Sequence, residues 1–229
     1  MKIGIIGAMD EEIQYLLEEM THKKEREVAG SLFVEGKIHA KDVVLLKSGI
    51  GKVNAAIATT ILHERYSPDA VINTGSAGGL DETCNVGDVV IASYVIHHDV
   101  DVTAFNYDFG QVPGMPTRFL ADEQLNKIIE KIVINHDTVA HIGAIATGDS
   151  FMNNKDQVAK VMKHFPSTTA VEMEAASIAQ VCHRYETPFV MIRALSDIAG
   201  KHSSISFDQF LDTAAKNASS MIVNFIAEL

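Results

Sequence analysis

Five apolar runs in this chain each end in a cluster of small and polar residues, and that pairing constrains the fold more than any other feature. The runs lead into "GAMDEE", "TGSAGGL", "ATGDSF", "VEMEAA" and "RALSDIAG". Short runs that are apolar on both faces belong in a sheet covered on both sides. Between the runs lie segments with helical periodicity. Ile13, Leu16, Leu17 and Met20 follow the first run at such spacing, with Asp10 where a cap belongs. "SLFVEG" and "DVVLLKSG" read as two strands joined by a polar turn, and "GKVNAAIATTILHERY" reads as a helix. The turn "SPD" then feeds the strand "AVINTG", which runs into a Gly-rich loop, "GSAGGL".

Further along, "GDVVIASYVIHHDVDV" is a long strand candidate. The aromatic, Gly- and Pro-bearing "TAFNYDFGQVPGMPTRF" has no sustained period and reads as a functional loop. "DEQLNKIIEKIV" and "NKDQVAKVMKHF" are amphipathic helices on either side of the strand "VAHIGAIATGDSF". The strand Thr169 to Val171 precedes the nearly all-apolar helix Ala175 to Cys182, and "PFVMIRALSDIAG" is the last strand. The final helix is expected to start at Ser206, with Gln209 completing a capping box and Phe207, Phe210, Leu211, Ala214, Ala218 and Phe225 on its apolar side. Strands and helices alternate without linker or repeat, so the class is α/β, one domain over residues 1–229. In such sheets ligands sit beyond the carboxyl ends of strands, where the five polar clusters lie.

The chain has 229 residues and 47% hydrophobic against 21% charged residues, enough for a core of its own. Its formal charge of −11 argues against a nucleic-acid or anionic-membrane surface. Cys84 and Cys182 are in no metal or redox spacing, and Cys182 reads as a small buried hydrophobe. The opening apolar run is too short for a signal peptide and none reaches membrane-spanning length, so a soluble cytoplasmic protein is expected.

Familiar phosphate motifs fail. "GIGKVNAA" has Val53 where a P-loop needs Ser or Thr, and the Gly4 to Gly7 turn lacks the third glycine of a dinucleotide fingerprint. In "HHDVD", His97 and His98 point to opposite faces of a strand, so a solvated strand end is a better reading than a metal site. Asp10, Glu11 and Glu12 taken alone are first-turn acids that complement a helix dipole. Asp197 taken alone is an exposed strand-end acid paired with Arg193. Glu172 and Glu174 are more demanding, because two carboxylates open a buried helix and need partners there.

Taken in order, "GIIGAMDEE", "SGIGKVNAA", "NTGSAGGL", "ATGDSF", "VEMEAA" and "RALSDIA" closely resemble the 5′-methylthioadenosine/S-adenosylhomocysteine nucleosidases of the nucleoside phosphorylase-like superfamily, over the whole chain. The resemblance implies a three-layer α/β/α sandwich with a central mixed sheet. It implies hydrolysis of the bond between adenine and a 5′-thio-substituted ribose, without metal or organic cofactor. Such a bond breaks through an oxocarbenium-like transition state. By the family pattern Asp197 is the general acid at the purine, Glu12 the general base on water, and Arg193 and Ser76 position that water. Glu174 grips the ribose hydroxyls and Met173 packs on the ribose. Phe151 lies against adenine, whose edge is read by the backbone of Met152. Ser196 and Gly78 are further substrate contacts. Met9, Ile50 and Phe207 form the apolar pocket for the sulfur substituent. Val102, Phe105 and Pro113 reach the neighbouring subunit's site in a homodimer. Glu172 carries no family role and is expected to be structural.

The alternatives are a phosphorylase of the same superfamily, a futalosine-type adenine nucleosidase, and a nucleoside-binding module without catalysis. A phosphorylase needs cations for phosphate where "GAMDEE" offers acids. A binding module would have no use for both Glu12 and Asp197.

Overall fold

A computed structural model describes residues 1–134, 138–201 and 203–229. Along the chain come β1 (Lys2–Gly7), α1 (Asp10–Glu19), β2 (Thr21–Val28), β3 (Ser31–Ile38), β4 (Lys41–Lys47), α2 (Lys52–Tyr66) and β5 (Ala70–Gly79). Then follow β6 (Val89–His97), a single 3₁₀ turn at Thr103–Phe105, β7 (Phe119–Leu120), α3 (Glu123–Ile134), β8 (Ala140–Thr147) and α4 (Lys155–His164). The chain ends with β9 (Thr168–Glu172), α5 (Ala175–Arg184), β10 (Phe189–Ile198) and α6 (Ser203–Glu228).

All ten strands belong to one mixed sheet. β5 runs parallel to β1 along its first half and antiparallel to β9 at Gly78 and Gly79, while its other edge pairs in parallel with β10. Since β10 also pairs with β6, β6 with β8 and β8 with β9, five strands close into a ring. From that ring β1, β4, β3 and β2 extend as an open wing. β1 and β10 are buried on both faces along nearly all of their length, which is why their sequences are apolar runs rather than alternating ones. In β8 only residues 144–147 are buried.

Two cores explain the layers. On one face, Ala55, Ala58 and Leu62 of α2 and Ala176, Ile178 and Ala179 of α5 pack with Ile6, Val71 and Met191. The alanines leave little bulk between these helices and the sheet. On the other face, Ile13 and Leu16 of α1, Ile129 of α3, and Ala218, Met221, Ile222 and Phe225 of α6 cover Ile5, Ile72 and Ile192. This is the three-layer α/β/α arrangement around a mixed sheet.

Several local expectations change. Met9, not Asp10, is the N-cap of α1, and the exposed Asp10 instead pairs with Lys47 at 2.7 Å. The Gly-rich "GSAGG" is no loop but the second half of β5. β6 stops at His97 and does not continue through "HDVDV". His97 and His98 are not solvated: both are buried, and His97 Nε2 lies 3.1 Å from Gln180 Oε1. α6 begins at Ser203, so Ser206 sits inside the helix, and Phe210 faces solvent with 41% exposure. β2, polar at every position but Val28, has no counterpart in the expected elements.

Candidate active site

At the carboxyl ends of β1, β5, β9 and β10 lies a cavity of about 380 Å³, within the range of small-molecule sites. All five polar clusters contribute to its lining: Ala8, Met9 and Glu12; Ser76, Ala77 and Gly78; Phe151; Val171, Glu172, Met173 and Glu174; Ser196 and Asp197. Ile50, Phe207 and Asp208 complete the rim. Its apolar lining includes Met9, Ile50, Phe151 and Phe207, the last two with their rings edge to face at 5.8 Å. Its acidic lining is Glu12, Glu172, Glu174, Asp197 and Asp208.

Glu12 stands at the third position of α1, so its side chain reaches back over the helix start. Oε2 accepts from the Ala8 N–H at 2.8 Å and the Met9 N–H at 3.3 Å. The first-turn reading of this acid therefore holds, but burial sends its other oxygen across to β5. There Oε1 accepts from Ser76 N–H at 2.9 Å and Ser76 Oγ at 3.0 Å. Gly75 makes that approach possible, because a Cβ there would overlap the Arg193 guanidinium and stand 2.7 Å from Glu12 Oε1.

Arg193, on β10, is fully buried behind the cavity wall. Its guanidinium donates to Asn73 Oδ1 at 2.9 Å, to Thr74 O at 3.3 Å, in a short contact to Glu172 Oε2, and to Glu174 Oε2 at 3.5 Å. Burial opposes its charge, but Glu172, Glu174 and Glu12 outweigh burial and raise its pKa. Three carboxylates thus surround one cation.

Glu172 and Glu174 divide the work that their sequence position poses. Glu172 Oε2 accepts from the N–H groups of Glu174 and Ala175 at 2.9 and 2.8 Å, satisfying the first turn of α5, and Oε1 accepts from Thr147 Oγ in a short bond. Glu172 is a structural anchor, as expected, although its side chain also borders the cavity. Glu174 crosses to α2, where its Oε1 accepts the Gly51 N–H at 2.8 Å. Burial first, and then the neighbouring Glu172, push the Glu174 carboxyl up to about 8, against the opposing pull of Arg193 and the Gly51 N–H.

Asp197 lies at an irregularity in the β5–β10 register between Leu195 and Asp197. In a regular strand, residues two apart share a face. Here Leu195 packs in the α2/α5 core while Asp197 lines the cavity, so the bulge re-aims the acid. Asp197 is 2% exposed and its Oδ1 accepts from Ser196 Oγ at 3.1 Å. It is neither an exposed strand-end acid nor the partner found for Arg193, whose ion pairs go to Glu172 and Glu174.

The remaining expected residues separate clearly. Met152 is buried in a narrow cleft of about 30 Å³ beside Phe151, Gly78, Met173 and Asp197. Val102, Phe105 and Pro113 do not line this chain's own cavity, and Phe105 is 75% exposed. Asn73, Thr74 and Thr147, which hold Arg193 and Glu172, were not singled out in the sequence. Their signal is a polar residue inside a buried apolar strand.

The family profile of the phosphorylase superfamily matches residues 2–227. The chain belongs to the phosphorylase superfamily. Within the superfamily, a 5′-methylthioadenosine/S-adenosylhomocysteine nucleosidase of Oceanobacillus iheyensis is 60% identical, with all of both chains covered. The crystal structure of a nucleosidase of the same description from Neisseria meningitidis, in complex with methylthio-immucillin-A, is 47% identical. It has a TM-score of 0.98, covering 100% of this chain and 99% of that one. A futalosine hydrolase of Helicobacter pylori is 33% identical with a TM-score of 0.95, covering 100% and 98%. Similarity within the phosphorylase superfamily therefore extends over the whole chain, site included.

Proposed function

We propose that this chain hydrolyses the N-glycosidic bond of 5′-methylthioadenosine and S-adenosylhomocysteine, giving adenine and methylthioribose or S-ribosylhomocysteine. The observation that carries the reading is one cavity lined by both apolar side chains and carboxylates. A thioether substituent suits Met9, Ile50 and Phe207, while a ribose that turns cationic suits Glu174 and Glu12. The similarity to nucleosidases across the full chain supports the same reading.

In this mechanism Asp197 hands a proton to the purine as the glycosidic bond stretches, so that adenine leaves without negative charge. Glu174 holds the ribose hydroxyls; burial and Glu172 favour its protonated form at rest, and the sugar's developing positive charge favours its ionised form as the bond breaks. Water enters beside Ser76, whose hydroxyl rotates from Glu12 to the incoming oxygen, and Glu12 removes the proton. Arg193 fixes the carboxylates around this water. Phe151 covers the adenine face and the Met152 backbone reads its edge.

Phosphate is a poor nucleophile for this cavity. Among the described lining residues none is Lys, Arg or His, and the acid Glu12 stands where an anion would approach. A futalosine-type substrate is the second reading, favoured by the 33% identity to the Helicobacter pylori enzyme. Part of the proposal is a homodimer in which residues 102–113 complete the neighbouring site, which suits the exposure of Phe105. A cytoplasmic setting is also proposed; among the described residues no helix is long and apolar enough to cross a membrane.

The test is incubation with methylthioadenosine in phosphate-free buffer and again with phosphate, separating adenine from the sugar product. Adenine with free methylthioribose in both buffers is expected. Adenine that appears only with phosphate, beside a sugar phosphate, would overturn hydrolysis. Glu12→Gln and Asp197→Asn should each lower kcat by about 10²–10⁴-fold while the melting temperature stays near that of the parent. Near-parental turnover in either variant would remove that residue from its role.

A further inference from the structure

Three sequence motifs remain without a role in the reaction: Lys52 of "GIGK", Asp99 of "HHDVD" and Asp149 of "ATGDS". The fold brings all three to the start of α2. The N-cap of that helix is Gly51, whose backbone lies at φ +97° and which offers no capping side chain, and the first helical turn contains no acid. Its leading N–H groups are therefore satisfied from elsewhere in the chain. Glu174 accepts the Gly51 N–H, and Asp149 Oδ1 accepts the Lys52 N–H at 2.8 Å. Asp149 is itself fixed, because its own N–H donates to Asp99 Oδ2 at 3.0 Å. Asp99 Oδ1 then takes the Lys52 ammonium at 2.6 Å, closing a loop of contacts on one residue.

We propose that Asp149 and Asp99 are positioning residues that clamp the α2 start from both its backbone and its side chain, and so hold the Gly51 N–H against Glu174. This rests on the reading of Glu174 as the ribose-gripping carboxylate. Among the described residues the Gly51 N–H is the one helix-terminal donor to that carboxylate, and it favours the charged form that a cationic sugar needs. Ile50, on the cavity rim, directly precedes Gly51, and its carbonyl accepts from Asn54 Nδ2 of α2 at 2.7 Å. Glycine at position 51 fits the same device, since a Cβ there would be strained by the positive φ and would stand 3.2 Å from Asp149 Oδ1.

The groups that face Glu174 are Glu172 on β9, Arg193 on β10, Glu12 on α1 and the Gly51 N–H. Releasing only the last of these should move its titration upward, because a donor to the charged form is lost. Asp149→Ala removes the acceptor for Lys52 N–H, whereas Asp149→Asn keeps a carbonyl oxygen there. The measurements are the ¹³C carboxyl titration of Glu174 in the full-length protein, and kcat and KM for methylthioadenosine across pH. Asp149→Ala should raise the Glu174 midpoint by about one unit and weaken kcat/KM roughly tenfold, and Asp149→Asn should restore most of both. Unchanged titration in a folded Asp149→Ala protein overturns the clamp, as does an Asn variant as impaired as Ala. If Asp149→Ala fails to fold, Asp99→Asn is read in the same way, with a smaller upward shift expected and no shift overturning the proposal. Should the parent protein not cleave methylthioadenosine, the functional reading fails while the titration still decides the clamp.

Discussion

Glu174 occupies a setting that opposes its own charge, and this has a measurable sign. An unfolded glutamate ionises near 4.5, whereas burial and Glu172 hold the folded carboxyl near 8. Between those values the native state keeps a proton that the unfolded chain has released. Stability contributed by this group is therefore fully present below about 4.5 and is lost as pH rises through 8. Glu174→Gln removes the titration, so the melting temperature of the variant relative to the parent should climb across that window and level off above it. A difference that is flat with pH would contradict the assignment. The same residue shows what sequence can reveal at this scale. Glu12, Glu174, Asp197 and Arg193 stand out as charged residues at the ends of apolar strands. Yet local sequence alone reads Glu12 as a first-turn acid and Asp197 as an exposed one, and only the family resemblance gives them roles in one site. Their polar supports do not stand out, since Asn73 and Thr147 look like ordinary strand residues until the guanidinium and carboxylate beside them are seen.

Among the elements, α5 depends on one acid in the strand before it. Glu172 satisfies two N–H groups of its first turn and also carries the ion pair of the buried Arg193. Glu172→Ala leaves that guanidinium short of charge in a dry site, and removal of one partner from a buried pair costs about 3–5 kcal/mol. Urea unfolding should give a loss of that size, with Glu172→Gln recovering part of it through its remaining oxygen. A loss within experimental error of zero would mean that Glu174 alone suffices for Arg193. Alternation of strand and helix was legible, since apolar runs and burial agree in β1, β4 and β10, while β8 is buried only in its second half. β2 was not, because "THKKEREV" has no apolar face and is a strand only through its backbone pairing with β3. The second half of β5 misled for the opposite reason. Glycines usually mark a break, but Gly75 and Gly78 here remain in the ladder because Arg193, Glu12 and Asp197 need the space where their side chains would be.

On the scale of the whole molecule, α6 ties the layer that carries α1 to the strands beneath the cavity. Phe225 is fully buried near its end, among Ile5, Ile72 and Ile192. Phe225→Ala should cost roughly 3–5 kcal/mol and lower the melting temperature by about 10 °C in calorimetry, with KM little changed because the site lies at the far end of the helix. A comparable loss of substrate affinity would show that the lower layer and the cavity are mechanically joined. The three-layer class was readable from the order of elements, but the ring closure was not, since nothing local in β5 announces that it serves β1 and β9 on one edge and β10 on the other. That closure has a further effect. It leaves β2 as the long open border of the sheet, and seven of its eight residues are exposed, among them Lys23, Lys24, Glu25, Arg26 and Glu27. A second molecule trying to add its own strand there would have to strip water from five formal charges. The least apolar strand of the protein thus stands where self-templating into fibres would otherwise begin, and its polarity keeps a crowded solution of these molecules from growing by edge addition.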